Sequence, residues 1–332
     1  MSASPSRIIE LASAFYDSCV LFTASDLGVF DKLAELEGGS ADTIAEELGL
    51  DLRATRLLMD ACVAVGLVVK EDGMYRNTPE SDAFLVRGKP GDLSGAIRYN
   101  RDVYPAWGNL AKMVQTGKPV EKPELHLGDD ADRTRTFVMS MHGRAMWIGR
   151  ALVPLLNLEV RRKLLDVGGG PGAFSVLLAK AYPELSCTVI DLPEVVKIAA
   201  ELIEQQGMSA RVGTLPGDYH RFEFPGGNDV VTIFGVLHQE SPATIQDIFN
   251  RAHEALVPGG VIYIMDMMTD RSHTTPKFSA LFAVNMALTT DTGWVFSDEE
   301  LRNWLTNAGF VDTDVHPLPA PMPHWLASAR KG

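Results

Sequence analysis

Apolar positions change their period along the chain. Ile8, Leu11, Ala12, Phe15 and Cys19 keep helical spacing, and Leu27-Gly28-Val29-Phe30 turns into a second amphipathic stretch that stops at Gly38-Gly39. Ser40 to Gly49 reads as a short helix and Asp51 to Val65 as another, which gives a helix-turn-helix outline. Val68-Val69 and Met74-Tyr75 flank Asp72-Gly73, a pattern that predicts a hairpin and completes a winged helix. Arg133 to Leu158 is helical again. Beyond it, short β runs (Lys163–Val167, Ser186–Ile190, Asp229–Phe234, Gly260–Met265) alternate with helical ones (Phe174–Ala181, Glu194–Gln206, Thr244–Leu256). That alternation predicts an α/β fold with a mainly parallel sheet covered on both faces, whose ligand sits where strand order reverses at the carboxyl edge.

At 332 residues the chain suits two domains. The changes of period predict a helical winged-helix domain over 1–87, a helical connection over 88–158 and a sheet domain over 159–332. The connection opens with a Pro- and charge-rich, linker-like stretch from Gly88 to Asp132. Charge weighs against the DNA-binding role that a winged helix suggests. The chain has 30 Lys plus Arg against 43 Asp plus Glu, a net −13. Between Ser40 and Arg76 the acids Asp42, Glu46, Glu47, Asp51, Asp60, Glu71 and Asp72 outnumber the bases Arg53, Arg56, Lys70 and Arg76. Such a face lacks the row of phosphate contacts that dominates nucleic-acid affinity. No nucleic-acid partner is expected, and the module reads as one for packing and oligomerisation.

Cys19, Cys62 and Cys187 lie far apart, without the spacing of a disulfide framework or a zinc site. His142, His220, His238 and His324 also lack metal-ligand spacing, so no metal is expected. The longest uninterrupted apolar run, Ala61 to Val69, is far short of the roughly 20 residues of a membrane span. Glu10 interrupts what would be the apolar core of a signal peptide. The expectation is a cytoplasmic protein with no membrane partner.

The strongest local signal is Leu164-Leu165-Asp166-Val167-Gly168-Gly169-Gly170-Pro171-Gly172-Ala173, at the end of the first strand of the sheet and opening a helix. Glycines let the backbone turn sharply and a ligand approach closely. Alone, the motif would also suit a dinucleotide. Asp166, inside the strand end, suits a ligand with a cationic head. Asp191, 23 residues beyond Gly168, is placed for ribose hydroxyls, and Asp218 is a third acid at the same edge. So many carboxylates disfavour a diphosphate and favour a sulfonium-bearing nucleoside.

With these residues the chain resembles the class I S-adenosylmethionine-dependent methyltransferases, and among them the caffeate/acetylserotonin O-methyltransferase-like family. The resemblance rests on Leu165 to Gly172, Val189-Ile-Asp-Leu-Pro193, Gly217-Asp218, Val236-Leu-His238, Glu254 to Gly260 and Ala308-Gly-Phe310. It implies an all-α winged-helix dimerisation domain followed by a Rossmann-like catalytic domain with a mostly parallel seven-stranded sheet. It further implies S-adenosyl-L-methionine as cofactor, a homodimer formed through the N-terminal helices, and a small-molecule acceptor. By this resemblance Gly168 and Gly170 line the methionine part of the cofactor, Asp191 holds the ribose, and Asp218 with Tyr219 faces the adenine. Gly172, Leu192, Asp166 and Phe234 complete the cofactor-binding set.

His238 matches the family's general base, an imidazole able to take the hydroxyl proton as the methyl moves. Three departures qualify the match. Gln239-Glu240 follows the histidine where the family has Asp-Trp. Asp266 stands for a longer Glu that orients the imidazole. Val295 falls where a second acid is expected, and Glu240 is a candidate substitute. Phe15, Met139, Met141, Trp147, Phe282, Met286 and Trp294 are candidate walls for a flat apolar acceptor. The missing carboxylates motivate an alternative, C-methylation or a non-methylating use of the cofactor. A nucleoside-sensing transcription regulator is the alternative of another class.

Overall fold

The computed structural model describes residues 4–121, 131–320 and 322–332, so residues 122–130 of the linker-like stretch lie outside the described residues. The chain divides into two compact units between Asp102 and Val103. The expected connection over 88–158 is therefore shared between the two units.

The first unit runs through α1 (Ser6–Ser13), α2 (Phe15–Asp26), α3 (Val29–Glu35), β1 (Gly39–Ser40), α4 (Ala41–Leu48), α5 (Leu52–Ala64), β2 (Val68–Glu71), β3 (Met74–Asn77) and α6 (Pro79–Phe84). The helix-turn-helix owes its limits to local chemistry. The Ser40 hydroxyl accepts the Thr43 N–H, the Asp51 carboxylate accepts the Ala54 N–H, and Gly49 ends α4 in a left-handed turn. Asp72 and Gly73 both take positive φ, as a tight hairpin turn requires. The hairpin joins β1 in a sheet of order β1-β3-β2, so the unit is not all-α. Phe30, Leu33, Ile44, Met59 and Tyr75 fill its core.

The span Ser6–Asp26, 21 residues over α1 and α2, is long and apolar enough, by length and composition, to cross a membrane. Glu10 and Asp17 interrupt its apolar residues, so no long uninterrupted run marks it in the sequence. The helices leave Ile8, Ile9, Leu11, Phe15 and Tyr16 exposed.

Helix α7 (Ser94–Gly108) spans the division, and α8 (Leu110–Thr116) and α9 (Ala131–Leu152) follow it. The alternating region is β4 (Lys163–Val167), α10 (Ala173–Ala181), β5 (Ser186–Asp191), α11 (Pro193–Gln205), β6 (Val212–Pro216), β7 (Asn228–Phe234), α12 (Pro242–Ala255) and β8 (Leu256–Asp266). Helices α13 (Lys277–Thr289) and α14 (Asp298–Asn307) then lead to the hairpin β9 (Phe310–Pro317) and β10 (Trp325–Lys331). The seven strands lie in the order β6-β5-β4-β7-β8-β10-β9, with β10 antiparallel to both its neighbours. Chain order runs outward from β4 to β6 on one side and from β7 to β8 on the other. The reversal falls between β4 and β7, which is where a ligand crevice opens at the carboxyl edge.

Both faces of the sheet are covered, and side chains that alternate between them along the strands build two cores. Leu165, Val231 and Ile233 pack with Ile245, Phe249 and Leu301 on one face, while Leu164, Val230 and Phe234 pack with Ile148, Leu152 and Val176 on the other.

Candidate active site

The glycine bend follows β4 directly. The Gly168 N–H donates to the Ile190 carbonyl at 2.8 Å, holding the bend against β5. Gly168 has φ +65°, and a Cβ there would lie 2.6 Å from Val236 Cγ2. Gly169 has no positive φ, but a Cβ would lie 2.7 Å from the Asp166 carboxyl carbon and 2.8 Å from Val189 Cγ1. The first glycine is required by conformation and space, the second by space alone. At Gly170 a Cβ would meet nothing within 4 Å, so the bend is open to a ligand there.

Asp166 sits beneath this bend, 1% exposed. Its Oδ2 accepts the Ser175 hydroxyl at 2.7 Å and its Oδ1 the Thr232 hydroxyl at 2.9 Å. Burial raises its pKa to about 6 against the pull of these two donors, and Asp191 adds to the rise. Its carboxylate ties β4, β7 and α10 together beneath the bend. Gly172 starts α10 in a left-handed conformation, and Phe234 is buried edge-on to Phe174 with ring centroids 5.1 Å apart.

Asp191 ends β5 at the mouth of the bend. Its Oδ2 accepts the Gly170 N–H and its Oδ1 the Leu192 N–H, both at 2.8 Å. Burial raises its pKa, and the two N–H donors oppose the rise. Each oxygen keeps acceptor capacity beyond these bonds, the chemistry that ribose hydroxyls need. Leu192 caps α11 and packs against Val138, Val195, Ile198 and Leu202.

Asp218 and Tyr219 belong to a network that sequence reasoning missed. His220 bridges two acids, with Nδ1 2.7 Å from Asp218 Oδ1 and Nε2 3.0 Å from Glu240 Oε2. The Tyr219 hydroxyl donates to Glu240 Oε1 at 2.7 Å. Glu240 is 5% exposed, buried and bonded, and it does not support His238 as sequence suggested. Partial burial depresses the His220 pKa, but the two acids outweigh it and the net shift is upward. Desolvation pushes the Asp218 pKa up, but the His220 N–H and imidazole bring the net shift down. Burial and the neighbouring Glu240 carry the Tyr219 hydroxyl well above its ordinary pKa.

His238 lies in a single 3-10 turn, Leu237–Gln239, after β7, and Asp266 ends the adjacent β8. Nδ1 of the imidazole is 2.6 Å from Asp266 Oδ1, and the His238 N–H donates to Oδ2 at 3.2 Å. The Met267 N–H donates to Oδ1 at 2.7 Å. A carboxylate surrounded by donors accepts from Nδ1–H, which leaves the lone pair on Nε2. The shorter Asp266 thus reaches the imidazole unaided. Val295 is buried and supplies no acid.

Of the candidate wall residues, Phe282 stands edge-on to His238 with centroids 5.2 Å apart. The Trp294 N–H donates to the His238 carbonyl at 2.9 Å, and its indole N–H donates to the Glu240 carbonyl at 3.0 Å. Met286 is buried on the same helix as Phe282. Trp147 packs instead on the sheet core, and Met139 is exposed. His324 and Arg144 were missed as a pair because 180 residues separate them.

The residues fit an S-adenosyl nucleoside: an open glycine bend, a carboxylate with spare acceptor capacity beside it, and an acidic lining in place of the cations that a pyrophosphate would need. Fold and site together define an S-adenosylmethionine-dependent methyltransferase. Residues 107–311 match the O-methyltransferase domain and residues 9–87 the O-methyltransferase dimerisation domain, and the chain belongs to this O-methyltransferase family. It is 31% identical to the 3-hydroxy-5-methyl-1-naphthoate 3-O-methyltransferase of Streptomyces sahachiroi, over 92% of this chain and 89% of that one. It is 32% identical to the tetracenomycin polyketide synthesis 8-O-methyl transferase TcmO of Streptomyces glaucescens, over 98% and 97%. Human N-acetylserotonin methyltransferase, solved in complex with S-adenosylmethionine, superposes with a TM-score of 0.88 at 27% identity, covering 100% of this chain and 99% of that one.

Proposed function

We propose that the enzyme methylates a hydroxyl of a small aromatic or polyketide-like acceptor, with His238 as general base and Asp266 as its orienting partner. The observation that carries this reading is the 2.6 Å contact between His238 Nδ1 and Asp266 Oδ1 at the carboxyl edge of the sheet. It fixes the tautomer in which Nε2 accepts a proton. S-adenosylmethionine supplies the methyl group as an electrophilic carbon on a sulfonium. The protein's share is alignment, exclusion of water and removal of the hydroxyl proton. In this reading Asp191 holds the ribose, Gly168 and Gly170 bound the methionine part, and Asp218 and Tyr219 shape the adenine end. Phe282 and Trp294, seated on the His238 turn, suit a flat ring.

The aromatic relatives named above support the acceptor class. The alternatives of C-methylation or a non-methylating use of the cofactor rest on the missing acids; Asp266 reaches the imidazole, which favours the hydroxyl reading, while Val295 supplies no acid. The dimerisation-domain match and the exposed apolar side chains of α1 support a homodimer through the N-terminal unit. Three free cysteines suit a reducing, cytoplasmic setting. Methyl transfer from isotopically labelled S-adenosylmethionine tests the role of His238. His238→Ala is expected to keep cofactor affinity and lose about two to four orders of magnitude in rate. Undiminished turnover would make His238 a packing residue.

A further inference from the structure

The turn that carries His238 is gripped by its carbonyls as well as by Asp266. The last carbonyls of a helical turn have no partner within it and need donors from elsewhere. Here three in succession find them on one segment, between α13 and α14. The Trp294 N–H donates to the His238 carbonyl at 2.9 Å, and the Thr292 hydroxyl donates to the Gln239 carbonyl at 3.0 Å. The Trp294 indole N–H donates to the Glu240 carbonyl at 3.0 Å. Gly293 lets the two chains lie this close, since a Cβ there would come 3.0 Å from the His238 carbonyl oxygen.

The segment is itself fixed. The Gly293 N–H donates to the Thr290 hydroxyl at 2.9 Å, and that hydroxyl donates to the Met286 carbonyl at 2.8 Å, which ties the segment to the end of α13. The Trp294 ring stacks on His273 and meets Trp304 edge-on, with centroids 6.2 Å apart in both pairs. Asp266 takes the N–H groups of His238, and this segment takes the carbonyls of the turn. A general base acts only within hydrogen-bond reach of the proton it removes, and a misplacement of about 1 Å costs on the order of a hundredfold in rate.

We propose that Trp294 is a positioning residue for methyl transfer, with Thr292 completing the brace, and that together they set where His238 Nε2 meets the acceptor hydroxyl. The proposal rests on the reading of His238 as general base and adds what holds that base in place.

The test is methyl transfer by the full chain from saturating, isotopically labelled S-adenosylmethionine to two rings at pH 8. One is 2-naphthol, which keeps its hydroxyl proton there; the other is 1-nitro-2-naphthol, which has lost it and needs no base. Trp294→Phe keeps an aromatic ring and the main-chain N–H and removes only the indole donor. It is expected to lower kcat about tenfold or more on 2-naphthol and less than about threefold on 1-nitro-2-naphthol. KM for S-adenosylmethionine and affinity for S-adenosylhomocysteine should stay within about threefold of the natural chain. A merely structural role would lower both rates alike, so the difference between the two losses is the readout. Thr292→Val, at an exposed position, should show the same dependence on the ring at about threefold on 2-naphthol, and it carries the test should Trp294→Phe not fold. Equal losses on the two rings, or no loss in either variant, would overturn the brace. His238→Ala, measured alongside, separates the two failures. Undiminished transfer to 2-naphthol there, or transfer to neither ring by the natural chain, would remove the general-base reading and the brace with it, whereas a loss confined to His238→Ala would remove the brace alone.

Discussion

Asp266 grips His238 at two points, the imidazole Nδ1 at 2.6 Å and the backbone N–H at 3.2 Å. One carboxylate therefore fixes both the ring and the turn that carries it. Asp266→Ala is expected to lower the methyl-transfer rate by about one to three orders of magnitude while S-adenosylhomocysteine affinity holds. Asp266→Glu, which restores the longer acid typical of the family, should stay within about tenfold of the natural rate. Steady-state kinetics with both variants decide it. A rate unchanged in Asp266→Ala would show that the imidazole needs no orienting partner.

Gly169 predicts a steric cost. Its missing Cβ would fall 2.7 Å from the Asp166 carboxyl carbon, against a residue already held by Ser175 and Thr232. Gly169→Ala should lose about 1–3 kcal/mol in urea unfolding and weaken cofactor binding. Asp166→Asn can keep both neighbouring hydroxyl bonds. Because the folded pKa of Asp166, about 6, lies above its unfolded value, its contribution to stability is greatest in acid and declines as pH rises through 6. Above that pH the amide no longer competes with a buried charge, so Asp166→Asn should match or exceed the natural stability at pH 8. A large loss there would mean that the charge itself is needed.

His220 predicts a pH window. It faces Asp218, Glu240 and the Tyr219 ring. Its folded pKa is raised, so its contribution to stability is complete below the unfolded value and is lost as pH rises through the folded one. The lowered Asp218 works oppositely, its contribution being present above its unfolded pKa and lost as pH falls through the folded one. The clamp is thus strongest in mildly acid solution. The difference in melting temperature between the natural chain and His220→Gln should be largest near pH 6 and shrink above neutrality. A difference that grows with pH would contradict the assignment.

The N-terminal helices predict an assembly. Ile8, Ile9 and Leu11 are 72%, 63% and 54% exposed. Burial of such a surface in a partner copy supplies the drive for association. Ile9→Glu with Leu11→Glu should convert a dimer into a monomer by sedimentation. A double variant that stays dimeric would place the interface elsewhere.

Much of this was legible in the sequence because it was local. The runs from Lys163 to Met265 announce themselves through periodicity, and β4, β5, β7 and β8 lie within a few residues of where that periodicity puts them, while β6 is legible only as a third strand ahead of Gly217-Asp218. The glycine bend is local in the same sense, its residues contiguous and its turn imposed by the missing side chains. The hairpin of β9 and β10 was not placed, since Phe310 to Pro317 mixes acids among its apolar residues and β10 inserts between strands distant in sequence. Glu240 reads from sequence as a candidate support for His238 because the partners that engage it instead, Tyr219 and His220, come from the loop after β6. The burial of Asp166 under Ser175 and Thr232 is not legible either, because pattern shows where a strand ends, not which face its last residues occupy.

Crystals of the full chain grown with S-adenosylhomocysteine test the central claim most directly. Density is predicted to run along the Gly168–Gly170 bend, with the ribose hydroxyls on the Asp191 carboxylate and the sulfur turned toward His238. Ordered nucleoside anywhere else, or bound there with its ribose away from Asp191, would contradict it.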